Sequence, residues 1–168
     1  MPSFLIQSGT PRVWDAAVTD YALTFAGVLN TEAREGGKGD LGEQRAEYWT
    51  AEPFIELVAA PTAGLTVELF WSNSNSAVPA TENDGGASGV DGDYKNGEEE
   101  EWVVQLQPIG ILRLTNDIQP VLQKATFVFR PKLRWGSPVI LNKSGQTFHS
   151  DDNAMKLVLT PHYLVYVA

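Results

Sequence analysis

Short runs in which apolar and polar side chains alternate recur along the chain, each bounded by glycine, proline or asparagine. Leu65, Val67, Leu69 and Trp71 alternate with Thr66, Glu68 and Phe70, the two-residue period of a strand with one buried face. Similar runs predict strands at 17–26, 45–59, 102–115, 119–130, 133–141, 146–149 and 155–166. A helical period is scarce: residues 7–17 give one weak pattern, and Pro11 crosses it. Many short strands with turn residues between them predict an all-β chain, a single-domain antiparallel β-sandwich. Residues 1–16 read as an extended N-terminal arm able to pack on a neighbour, and 17–168 as the sandwich domain.

Turn chemistry refines this outline. Asn142-Lys143-Ser144-Gly145 lies between two strand-like runs, with Gly145 placed for the left-handed position of a short hairpin loop. Pro108 and Pro131 fall inside strand-like runs; neither can donate to a ladder, so each predicts an edge strand, a bulge or a change of sheet. Two segments read as loops: 30–44, with Gly36, Gly37, Gly39 and Gly42, and 72–101, whose large apolar residues are few besides Val78, Val90 and Tyr94. A structureless segment as long as the second is usually functional or disordered, and it is expected to be a mobile acidic loop.

Composition changes the picture in three ways. At 168 residues one domain can bury roughly two-thirds of its unfolded surface without cross-links. Cysteine is absent, which excludes disulfides, thiolate metal sites and a cysteine nucleophile. The start has no basic-then-apolar layout, and no apolar run approaches the ~20 residues of a membrane span, so a soluble protein beginning near Met1, with no membrane partner, is expected.

Charge is concentrated. The chain carries a net -9, and residues 82–101 hold Glu82, Asp84, Asp91, Asp93, Glu98, Glu99, Glu100 and Glu101 against the single base Lys95. Acidity therefore belongs to one loop more than to the fold. In K-A-T-F-V-F-R-P-K-L-R-W, residues 124–135, alternation sets Phe127, Phe129, Leu133 and Trp135 on one face and Lys124, Arg130, Lys132 and Arg134 on the other. Such a stripe is either a solvated outer face or a patch that docks on an acidic surface. Nucleic acid is the poorer candidate for that surface, because the net field opposes it. Glu98 to Glu101 and this stripe are opposite in sign and form a candidate protein–protein interface across a subunit boundary.

Catalytic chemistry finds little footing. The two histidines, His149 and His162, lie in no recognisable motif, and the neighbours in His149-Ser150-Asp151-Asp152-Asn153 point in different directions along a turn. Asp84, Asp91 and Asp93 have the oxygen ligands of a calcium loop without its spacing. Gly36, Gly37 and Gly39 follow no buried strand and so form no phosphate cradle. No catalytic residue, metal or cofactor is expected. Of the five tryptophans, Trp71 and Trp135 share phase with aliphatic neighbours and read as interior, leaving Trp14, Trp49 and Trp102 as candidates for exposure. An exposed ring could stack on a sugar, and Trp14, on the arm, joins the candidate interface.

Taken in order, T-V-E-L-F-W-S at 66–72, G-G-x-S-G-x-D at 85–91, L-Q-x-I-G at 106–110, T-F-V-F-R-P at 126–131, N-K-S-G-Q at 142–146 and L-T-P at 159–161 resemble a family of small tailed-phage virion proteins. The resemblance covers roughly residues 63–161. It implies a non-enzymatic virion component similar to head decoration, or cement, proteins with β-sandwich or jelly-roll folds, and carries over no catalytic residue. The expected protein is jelly-roll-like, sits on the capsid surface after assembly in the host cytoplasm, and binds across neighbouring major capsid protein subunits as a homo-oligomer. The rival expectations are a tail or connector component and a carbohydrate-binding adhesion module.

Overall fold

The computed structural model describes residues 3–43, 46–116 and 122–167. The first residues of the expected arm, and the beginnings of the runs expected at 45–59 and 119–130, lie outside the described residues. In chain order the strands are β1 (Ser3–Ser8), β2 (Arg12–Asp15), β3 (Tyr21–Ala22), β4 (Ala33–Glu35), β5 (Gly39–Asp40), β6 (Tyr48–Ile55), β7 (Thr66–Ser74), β8 (Gly92–Asp93), β9 (Gln107–Arg113), β10 (Gln123–Lys124), β11 (Phe127–Phe129), β12 (Trp135–Lys143) and β13 (Lys156–Val167). One short helix, α1 (Glu99–Trp102), precedes β9.

These strands form two sheets packed as a sandwich. Sheet A has the order β10-β6-β13-β2-β3, with β11 also on β6 and β1 also on β13. Sheet B has the order β8-β4-β12-β7-β9, with β5 also on β12. Neighbours are antiparallel except β2 and β3, which run parallel. Alternation places Val67, Leu69 and Trp71 of β7 against Ile55, Leu157 and Leu159 of sheet A, with Trp14 among them. Each such side chain, fully buried, contributes roughly 1.5–3 kcal/mol, so this layer carries most of the stability.

Sheet B is covered on its other face as well. The segment expected to be a mobile loop folds back over it: Ala87, Tyr94, Val103 and Leu106 form a second, smaller core with Ala33, Val139 and Leu141. This explains why β12 is buried from Gly136 to Asn142 with no alternation, as a strand covered on both faces must be. The segment is fixed by polar contacts too. The Lys38 ammonium lies 2.9 Å from Ser74 Oγ, 3.1 Å from Ser76 O, 2.7 Å from Val78 O and 2.9 Å from Thr81 O.

Several expectations are corrected in detail. The run at 17–26 yields only β3, because the Asp15 carboxylate accepts bonds from Thr19 N (2.8 Å) and Thr19 Oγ1 (2.6 Å) and bends the chain into a turn. The turn at Asn142 to Gly145 exists, with Gly145 at φ +73°, yet it closes no hairpin. The chain leaves sheet B there and meets the segment just past β6, where Phe148 bridges Leu57. Pro108 sits beside a register shift on the edge strand β9. Pro131 ends the run after β11, so the basic stripe is not one strand: β11 lies in sheet A and β12 in sheet B. The expected arm is β1 and β2, both paired to β13.

Candidate association surface

The stripe residues remain on the outside, and the charges of two of them, Arg130 and Arg134, are met within the chain. Arg130 pairs with the Glu47 carboxylate and donates through Nε to Glu47 O at 2.6 Å. Arg134 is bidentate on Asp40, at 2.8 and 2.7 Å, and reaches Glu43 at 3.0 Å. The Asp40 hydrogen bonds push the Arg134 pKa up, and the same bonds hold the Asp40 carboxyl below the ordinary range. Lys124 Nζ sits over the Phe54 ring at 5.9 Å, and Lys132 donates its backbone N–H to Asn73 Oδ1 at 2.9 Å. A cleft of about 420 Å³ lies here, lined in part by Leu41, Trp49 and Leu133, and both guanidinium groups on its rim are already paired.

The acidic segment behaves alike. Glu98 accepts from Trp102 Nε1 at 3.1 Å, the buried Glu99 accepts from Gly97 N at 3.0 Å, and Glu100 pairs with Lys143 at 3.1 Å. Glu101 is exposed on α1, its N–H bonded to Glu98 O. Asp91 and Asp93 bind the Arg34 guanidinium at 3.2 and 2.9 Å. Burial alone would raise the Asp91 pKa, yet the Thr24 and Arg34 bonds outweigh it and leave it lowered. Arg130, Arg134 and Glu100 thus find separate counterparts inside one chain.

Trp14 is corrected as a surface candidate. It is fully buried, donates Nε1–H to Gly37 O at 2.8 Å, stacks on Tyr21 and meets Trp71 edge-on. Side chains at Gly36 or Gly39 would strike it, so those glycines serve the packing of this indole. Trp49 is buried as well, and Lys95 covers the half-buried Trp102 at 4.2 Å. The alternative of a sugar platform thus loses two of its three rings. His149 Nδ1 accepts from Asp151 N, and Asp152 holds the backbone N–H groups of Phe25 and Ala26, which makes that turn a structural joint.

What the sequence reading missed lies where the chain's first and last described strands meet. β1 pairs with the second half of β13, Ser3 opposite Val167 and Ser8 opposite His162. Beyond His162 this two-stranded ribbon leaves the sandwich, because β6 ends its pairing at Tyr48. Directly opposite residues share a face, so Phe4, Ile6, Leu164 and Tyr166 form one side and Leu5, Val165 and Val167 the other. Both sides are open: Phe4 is 58%, Leu5 61%, Ile6 52%, Leu164 53% and Tyr166 60% exposed. Among the described residues no strand pairs the outer edge of either ribbon strand. At the root His162 stacks on Tyr48 and bonds Ser8 Oγ and Thr50 Oγ1, each at 3.1 Å.

A sequence signal for the ribbon existed. Phe4-Leu5-Ile6 and Leu164-Val165-Tyr166-Val167 are continuous apolar runs, and strands without alternation call for cover on both faces. The ribbon contains no charge and no proline between Ser3 and Ser8 or after His162, the devices by which exposed edges are ordinarily blunted. Among the described residues no group of histidine and carboxylate side chains is placed to hold a metal ion, and no helix is long and apolar enough to cross a membrane. Compared with protein-family models and with curated protein sequences, the chain matches none.

Proposed function

We propose that this chain is a non-enzymatic structural protein of a virion, a capsid decoration protein that binds across neighbouring major capsid subunits and stabilises the shell. The observation that carries this reading is the uncharged, two-faced apolar ribbon standing out from a sandwich whose Arg34, Arg130, Arg134 and Lys143 are ion-paired within the chain. Seven large apolar side chains on the two faces of one ribbon exceed what isolated monomers ordinarily expose, and such surfaces mark association sites. The ordered motifs between residues 63 and 161 support the virion assignment, and a two-sheet β fold suits the jelly-roll-like frame of such proteins. On a shell that repeats its binding site, an oligomer turns weak single contacts into firm attachment through effective concentration.

The test is to add the purified protein to purified particles that lack it. Co-sedimentation at a fixed copy number per shell, with a raised temperature of particle disruption, is the expected result. Attachment confined to tails moves the reading to a tail or connector component, and attachment to neither overturns it.

A further inference from the structure

We infer that the β1–β13 ribbon is an interface between two copies of this chain, joined edge to edge along residues 163–167 about a two-fold axis at Val165. This rests on reading the ribbon as an association element, and it names the occupant.

Area points to a second copy. Phe4, Leu5, Ile6, Leu164, Val165, Tyr166 and Val167 are between about a third and three-fifths exposed. Together they present on the order of 700 Å² per chain, near the ~800 Å² that each partner gives to a standard interface. Edge pairing covers the part of this surface that lies along β13, where Leu164 and Tyr166 of one copy meet Tyr166 and Leu164 of the other. Strand chemistry agrees. A two-stranded ribbon is marginal in water, whereas three or more strands with apolar faces are self-supporting. Joining two β13 edges gives a four-stranded sheet, β1-β13 followed by the same pair reversed.

Self-complementarity also favours it. An antiparallel pair of identical strands is isologous, each residue meeting the residue equally far from the axis. The unpaired edge runs from Tyr163 to Val167 among the described residues, so full overlap puts Val165 on the axis and Tyr163 opposite Val167 of the second copy. Charge offers no obstacle at this place, although each chain carries -9, because the ribbon edge is neutral. Elsewhere on the surface two copies would meet with like net charge.

Because the chain has no cysteine, a single introduced thiol reads out the axis. Opposite residues of an antiparallel pair have Cα atoms about 4.5–5.5 Å apart, inside the window for a disulfide. Val165→Cys should oxidise to a covalent dimer at micromolar concentration, and Val104→Cys, an exposed site off the ribbon, should remain monomeric on denaturing gels. Sedimentation of the unmodified chain should give twice the chain mass. Leu164→Glu combined with Tyr166→Glu should raise the dissociation constant at least a hundredfold while far-ultraviolet circular dichroism stays unchanged.

A chain that sediments as a monomer overturns the inference, as does a dimer that survives the double substitution or that never cross-links through position 165. If the double variant fails to fold, cross-linking still decides. A monomeric chain that nevertheless binds particles defeats this inference and leaves the proposed function standing. A ribbon-linked dimer that binds no particle does the reverse.

Discussion

Two parts of the molecule lie outside the central sandwich core, and they are held by opposite means. The segment at 75–106 is rich in acids, yet it is anchored by Tyr94 beneath it and by Lys38, Arg34 and Lys143 at its margins. The ribbon is uncharged and apolar, and its own ladder and its root at His162 are what fix it. The contrast teaches that charge density is a poor guide to where a protein is open to partners. Polar groups at short range find counterparts in their own chain, whereas an apolar surface that the fold does not cover keeps its cost in water until something else covers it.

The sharpest way to break this comparison is to remove the anchor of the covered segment. Tyr94 is buried among Val103, Leu106, Val139 and Leu141, and its hydroxyl donates to Gly85 O at 2.7 Å. Burial, with the nearby Glu35 charge adding to it, pushes its pKa up to about 12. Tyr94→Ala should cost about 4 kcal/mol, the range for truncating a buried aromatic, and hydrogen exchange should show protection lost across 84–106 before the sandwich opens. Association through the ribbon should be unchanged. A uniform loss of protection everywhere would mean that segment and sandwich are one cooperative unit.

Next in size is the polar anchor. Lys38→Met deletes the ammonium that meets Ser74 Oγ and the carbonyls of Ser76, Val78 and Thr81. Denaturant unfolding should show a loss of roughly 2 kcal/mol, the scale of a hydrogen-bonded charge removed from its acceptors. Proteolysis should then find new cleavage between 75 and 82. An unaltered digestion pattern would mean that the apolar contacts alone hold the segment.

How much of this was legible in the sequence depends on the range of the signal. The period of Val67, Leu69 and Trp71 gave the sandwich because alternation is local and its cause, one buried face, is shared by most strands. Pro108 marked its edge and register shift for the same reason. Trp14 was misjudged because its neighbours in sequence gave no hint that Gly36 and Gly39 clear a place for it, and that Gly37 O accepts its indole N–H, from some twenty residues away. The acidic segment was read as a loop since one tyrosine and a few small apolar residues fill a core only when β12 supplies the floor. The continuous apolar runs of the ribbon were visible, but their meaning depends on β1 and β13 meeting across the whole length of the chain.

A smaller effect separates the charged stripe from the ribbon. Arg134 is exposed and paired to Asp40 and Glu43, so Arg134→Ala should lower stability only slightly, and less at high salt, as surface pairs do. Reversing Arg130 and Arg134 to Glu should lower stability further by setting acids against Glu47, Glu43 and Asp40. Light scattering should find self-association within about twofold of the parent at 0.15 M salt. A strong loss of association in this variant, with the fold intact, would return the interface to the stripe.

The finest distinction comes from pH. Glu35, buried on β4, accepts Ser88 N–H at 2.9 and 3.0 Å and also the Ser88 hydroxyl. Burial pushes its pKa up, and the Ser88 bonds offset this only in part; Asp152 is likewise raised by burial against the bonds from Ala26 and Phe25. In both cases the folded chain holds the proton more tightly than the unfolded one, so their contribution is greatest below about pH 4, the unfolded range, and declines as pH rises through the folded values. Asp40 and Asp91 are lowered, so their contribution is present above that range and is lost as pH falls through their folded values. Glu35→Gln removes one member of the first pair. Unfolding free energies measured from pH 4 to 7 should move in favour of the variant relative to the parent as pH rises. The dissociation constant of the ribbon-linked dimer should be the same for both chains at every pH in that window. A stability difference that is flat, or that moves toward the parent, would mean that the Ser88 bonds fully compensate the buried carboxylate. A shift in the dissociation constant would mean that the covered segment and the open ribbon are coupled through the sandwich, which their separate anchoring argues against.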